Sequence, residues 1–355
     1  MPKGAHPRRC LVLLAAALFA LAPAARAQID TGQGPLPVFE FHSGFWLNLH
    51  HTLYQEARKQ RSSAAGAGAS RSAPVLGGLS DAERHAWDDA VSYYAANFAA
   101  KDLLFAGDLV QLKDQLGDFE DCNDLSGSKQ KFCNAGLDPK LTKILEAAAP
   151  VYRAHLWSAH DQANRRWVFG VAPLVRSQSV GLSQRLADIY QTHWPRYRIR
   201  VDISAFANWA GAYTTVDPLR VTISSTDPRN QGSAALEVLF HEASHGIAEP
   251  VEQAIIRECR QRDKAIPRDL WHALVFYTTG EVIRPIMARN KPPLIGADGS
   301  PTAQAQPAYK PYAMREGLYQ RNWDRYLELL TTFWQPYLEG QASFDDAIAR
   351  MVSGL

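Results

Sequence analysis

Two histidines four residues apart, with a glutamate beside the first, lie at His241-Glu242-Ala243-Ser244-His245. On an α-helix, positions i and i+4 stack one turn apart, so both imidazoles reach one cation; zinc takes histidine nitrogen at about 2.0–2.1 Å. Glu242 then stands next to the ion without having to ligate it. A carboxylate there serves as a general base, taking a proton from water that the ion has acidified to a pKa of about 7. The pattern predicts one catalytic zinc ion held by His241 and His245, and metal-assisted hydrolysis with Glu242 as catalytic base.

Such a pair works only if a helix presents it. Leu236, Leu239, Phe240, Ala243 and Ile247 recur at helical spacing and supply an apolar stripe to anchor that helix, with Ser233 as its expected N-cap and Pro250 as its stop. Catalytic zinc usually takes three protein ligands and leaves one position for water. The run from Trp271 to Glu281 offers His272 and Glu281. These two cannot share a helical face, because nine steps of about 100° put them half a turn apart. Glu281 is the expected third metal ligand: it follows the small segment Thr278-Thr279-Gly280, which lets two helices approach closely around an ion. His272 is the alternative, and Glu249, Glu252 and Glu258 lie nearer in sequence. Tyr277, one turn before Glu281, is the expected catalytic donor to the developing oxyanion, with Tyr213, Tyr309 and Tyr312 as further candidates. His42, His50 and His51 form a second cluster; His42 and His50 are eight apart on an expected helix and could line a cleft, with a surface or hydrogen-bonded role the expectation.

The rest of the chain reads as α+β, predominantly helical. Ser80 and Glu83 make a capping box ahead of Trp87, Val91, Tyr94 and Phe98, and further helical stretches are expected at 102–116, 139–148, 151–166 and 180–191. At 197 the period changes to two: Tyr197, Ile199, Val201 and Ile203 alternate with Arg198, Arg200 and Asp202, and Val221 and Ile223 alternate with Thr222 and Ser224. A small β-sheet therefore precedes the metal helix. Helices at 251–263, 269–284, 317–337 and 344–353 should follow, with an Ala/Gly/Ser-rich connection at 62–80 and a Pro-rich loop at 291–311. No internal repeat is present.

The site resembles that of the gluzincin metallopeptidases, the zincin clan of thermolysin and the M1-type aminopeptidases, in which a strand-bearing subdomain leads into the His-Glu-x-x-His helix. That resemblance covers about 197–285 and implies zinc bound by His241, His245 and Glu281, with Glu242 as base. The longer zincin pattern with a third histidine is excluded, since Ala248 and Val251 stand where it needs Gly and His. Gly211-Ala212-Tyr213-Thr214-Thr215 lies where M1 enzymes carry their Gly-x-Met-Glu-Asn segment, but Thr214 replaces the glutamate that grips a free amine. Aminopeptidase specificity is not implied. The segment still suits an edge strand for an extended peptide, and Tyr213 and Tyr312 are the expected substrate-binding residues. The implied divisions are a helical region at 28–195, a zincin-like catalytic region at 196–290, and a loop with closing helices packed on it at 291–355.

Residues 1–27 read as an export signal: Lys3, Arg8 and Arg9, an apolar stretch from Leu11 to Leu21, then Ala25-Arg26-Ala27. Cleavage before Gln28 would change the balance from 38 basic and 36 acidic residues to 34 and 36, which leaves no case for nucleic-acid binding. No other segment has the roughly 20 apolar residues of a membrane span. In an oxidising compartment Cys122 and Cys133 should form a disulfide, and Cys259 should be a buried thiol. The expectation is an exported, periplasmic or secreted zinc metallopeptidase acting on peptide or protein substrates. The alternative is an exported zincin-fold protein that binds metal or peptide without turnover.

Overall fold

The structure is a computed structural model describing residues 38–64, 76–289 and 308–355. The export signal, most of the 62–80 connection and most of the Pro-rich loop lie outside the described residues. Helices dominate, with one mixed sheet of four strands in the order β1-β2-β4-β3: β1 (Phe39–His42), β2 (Ile199–Ser204), β3 (Ala212–Val216) and β4 (Leu219–Ser224). β1, β2 and β4 run parallel and β3 is the antiparallel edge strand, with Thr214 opposite Val221. The period-two pattern thus marks real strands, and β1 adds a strand from 157 residues upstream, where a helix carrying His42 was expected. His42 instead ends β1, and its Nδ1 meets Glu120 Oε1 at 2.8 Å.

Alternation gives the sheet two different faces. Phe39, Phe41, Ile199, Val201, Ile203, Val221 and Ile223 point to one side and share a buried core with α5 (Ser158–Ile189) from Trp167 onward, α6 (Ser233–Ser244), α7 (Glu249–Gln261) and α8 (Leu270–Arg289). The polar side is covered as well, by α1 (Phe45–Ala64) and α3 (Gly107–Asp118). There Arg200 pairs with Glu120 and Asp202 at 2.8 Å each, Lys113 donates to Thr215 Oγ1 at 2.8 Å, and His51 meets Ser204 Oγ at 3.1 Å. Charges under helices need such partners, since an unpaired ion in the interior is strongly disfavoured.

A second core joins α1 and α3 with α2 (Asp81–Asn97) and α4 (Pro139–Tyr152). Its helix starts follow local chemistry: Ser80 N donates to Glu83 Oε2 at 2.9 Å and Glu83 N to Ser80 Oγ at 3.3 Å, completing the capping box. Asp138 caps α4 by accepting from Lys140 N and Leu141 N at 3.0 Å each. A π-helical turn at Arg153–Trp157 carries α4 into α5 without a break, so the expected helices at 151–166 and 180–191 are one. The Cys122–Cys133 disulfide forms and Cys259 is buried and free. The chain closes with α9 (Tyr312–Arg315), α10 (Asp324–Leu329), α11 (Gln335–Leu338) and α12 (Phe344–Gly354). Among the described residues no helix is long and apolar enough to cross a membrane.

Candidate metal centre

The motif helix α6 is buried from Ala234 to Ser244, with Leu236, Leu239, Phe240 and Ala243 fully enclosed, as the apolar stripe predicts. It begins one residue earlier than expected, with Gly232 in the N-cap position at φ 57° and Ser233 already helical, and Pro250 sits in the first turn of α7 instead of ending α6. His245 occupies the C-cap of α6 and keeps helical dihedrals (φ −56°, ψ −31°), so the two motif imidazoles still stand one turn apart, 5.0 Å between ring centroids. The carbonyl end of a helix carries partial negative charge, which favours a cation there. Gly246 then lets the chain turn against β4: a Cβ on it would lie 2.6 Å from Leu219 Cδ2.

The third residue at this point is His272, from the first turns of α8. Its ring lies 5.3 Å from His241 and 5.0 Å from His245, and ligand atoms of all three lie within 4.8 Å of one another. His272 Nε2 and His241 Nε2 are 3.4 Å apart. Two nitrogens bound tetrahedrally at 2.0–2.1 Å would be separated by about 3.3–3.4 Å, so the spacing fits one small cation. Burial holds all three imidazoles neutral: His241 well below its ordinary value, His245 down to about 3 and His272 to about 4, with the neighbouring imidazoles adding to the effect on His241 and His245. Neutral rings keep the lone pairs that a metal needs. His241 is held by packing: Phe276 stacks on it at 3.6 Å and 18°, while its Nδ1 is buried without a hydrogen-bond partner among the described residues. Three histidines with one position left for water form a ligand set that catalytic zinc accepts.

Glu281, the expected third ligand, is not brought to the histidines. It accepts from Arg284 Nη2 at 2.5 Å on another side of α8, because the helical phase that brings His272 and Phe276 to α6 turns position 281 away. Tyr277, one residue off that face, donates to Gln335 Oε1 at 2.9 Å. Tyr213 faces the other side of the sheet. Its hydroxyl meets His51 Nε2 at 2.9 Å on the α1–α3 side of the sheet, while its neighbour Thr214 points to α6. His50 bonds Tyr94 at 2.9 Å in the second core, so the upstream histidines are hydrogen-bonded within the fold, away from the motif helix.

Glu242 follows His241 directly on α6 and is buried. It is 8% exposed, and Thr214 Oγ1 lies 2.7 Å from its Oε2 and 2.9 Å from its carbonyl oxygen. Burial pushes its carboxyl up to about 7, partly opposed by the Thr214 hydroxyl. Tyr312 is placed nearby: its ring lies parallel to Phe276 at 5.8 Å and 9°, and its hydroxyl is within electrostatic reach of Glu242 and Arg229. Half-buried Trp271 and Trp323 complete an aromatic surround, 5.2 and 5.6 Å from the His272 ring. The site has one further acid, Glu237, which precedes His241 by four residues; that i to i+4 spacing was a readable signal. Compared with known proteins, the chain matches no family model, no curated protein and no solved structure.

Proposed function

We propose that the protein is an exported zinc-dependent peptidase with a zincin-like arrangement of sheet and motif helix. One juxtaposition carries this reading: three neutral imidazoles converge within 4.8 Å beside a buried carboxyl whose pKa stands at about 7. His241, His245 and His272 would hold the ion, which would supply Lewis acidity and lower the pKa of water to about 7. Glu242, poised near neutrality, takes the proton of the attacking water and passes it to the leaving amine. Thr214 keeps that carboxylate turned to the site. Tyr312 takes the donor role first expected of Tyr277, offering its hydroxyl to the charge that develops on the carbonyl oxygen. The edge position of β3, with Thr214 bonded to Glu242, supports an extended peptide as substrate, since a chain laid along β3 would pass the base.

The test joins metal content to turnover. Wild type is expected to carry one zinc per chain and to cleave members of a mixed peptide library. Glu242→Gln should retain the zinc and lose turnover by about 10²–10⁴-fold, the usual contribution of a positioned base. Full zinc with no cleavage by wild type would instead favour a protein that binds metal or peptide without turnover.

A further inference from the structure

Glu237 lies one helical turn before His241 and is 1% exposed. Both of its oxygens are taken by one short segment: Tyr309 Oη donates to Oε2 at 2.6 Å and Tyr312 N to Oε1 at 2.8 Å. Space for this junction comes from α8, where a Cβ on Gly280 would stand 2.6 Å from Pro311 Cβ and 3.2 Å from Glu237 Oε1. A carboxyl in such a place is costly to bury, and isolated packing of the segment would be served better by an apolar residue. What the two hydrogen bonds achieve is placement. They fix the backbone of Tyr312, whose ring runs parallel to Phe276, and Phe276 stacks in turn on the metal-site ring of His241.

We propose that Glu237 is a positioning residue that locks the Tyr309–Tyr312 segment onto the metal helix and thereby sets the Tyr312 hydroxyl at the metal centre. The hydrolytic part of this role rests on the peptidase reading; the lock itself does not. Hydrogen exchange of the zinc-loaded full chain reads the lock directly, because the Tyr312 amide is the donated group. Glu237→Ala should speed exchange of that amide at least about tenfold while α6 and α8 stay protected and zinc is retained. Glu237→Gln should rescue it, since its carboxamide oxygen can accept the Tyr312 amide and its amino group can donate to the Tyr309 hydroxyl oxygen. If Glu237→Ala does not fold, Tyr309→Phe removes half of the lock without opening a cavity and should speed the same amide by a smaller factor. On a peptide that wild type cleaves, Glu237→Ala and Tyr312→Phe should each lower kcat about 10²-fold with little change in KM, and the double variant should be no worse than either. Unchanged Tyr312 exchange in Glu237→Ala, or in Tyr309→Phe if that stands in, overturns the proposal, as do losses that multiply in the double variant. A wild type that cleaves no peptide counts against the peptidase reading, and the exchange result still decides the lock.

Discussion

The chemistry proposed for this site turns on one carboxyl held near neutrality by two opposed influences. Burial raises the Glu242 pKa to about 7, and the Thr214 hydroxyl at 2.7 Å from Oε2 favours the charged form. Thr214→Val removes the hydroxyl and keeps the shape, so the Glu242 pKa should rise further. A base must be ionised to act, and the acid limb of the kcat profile should therefore move to higher pH in the variant. A profile that stays in place would show that Thr214 does not tune the base. At this scale the sequence was legible in part. The five-residue motif named two of the three clustered histidines, because i to i+4 spacing is a local property of one helix. The third histidine of the cluster was not legible. His272 and Glu281 were correctly separated by helical phase, but which of them faces α6 depends on the rotation of α8 against its neighbours, and no spacing within α8 encodes that.

Each ligand-bearing element is fixed by packing outside the site. The end of α6 is set by Gly246, whose missing Cβ leaves room for the Leu219 side chain at the start of β4. Gly246→Ala overpacks this contact next to His245. It should cost about 1–3 kcal/mol of stability and weaken zinc binding together, read by thermal unfolding and by competition with a chelator. An unchanged zinc affinity would mean that His245 is positioned independently of the β4 contact. Local capping and alternation foretold α2, α4, β2 and β4, since Ser80, Glu83 and Asp138 act within a few residues. β1 was missed because Phe39-Glu40-Phe41-His42 is too short to show a period and becomes a strand only through its parallel pairing with β2. The 211–215 segment was read only as an edge strand, and Tyr213 proved to be on the covered side because α1 and α3 bury the face of β3 that it shares with Thr215. The spacing of Glu237 from His241 was visible, but its partners Tyr309 and Tyr312 come from about 70 residues downstream and were linked to it only by the fold.

Over the whole molecule, two cores meet across a sheet whose polar side encloses neutral histidines. Burial brings His50 down to about 3 from an ordinary 6.5, and His51 well below that ordinary value. A depressed imidazole binds protons when the chain unfolds, so the stability it supports is full above about 6.5 and is lost as pH falls toward 3. The slope is about 1.4 kcal/mol per pH unit for each such group. Glu237 and Glu242, raised to about 7, act with the opposite sign: their share is full below 4.5 and is lost as pH rises through 7. Denaturant melts of the metal-free protein should therefore show His50→Gln with a flatter fall between pH 6.5 and 3 than wild type, whereas parallel curves would mean that His50 is not buried neutral. The convergence of His272 on the motif helix is the claim on which the functional reading stands. It is tested most directly by zinc stoichiometry and affinity in His272→Ala and Glu281→Ala, each compared with wild type. The expected result is one zinc per chain in wild type and in Glu281→Ala, with binding lost or weakened by orders of magnitude in His272→Ala; the reverse pattern, or a wild type that takes up no metal, would contradict it.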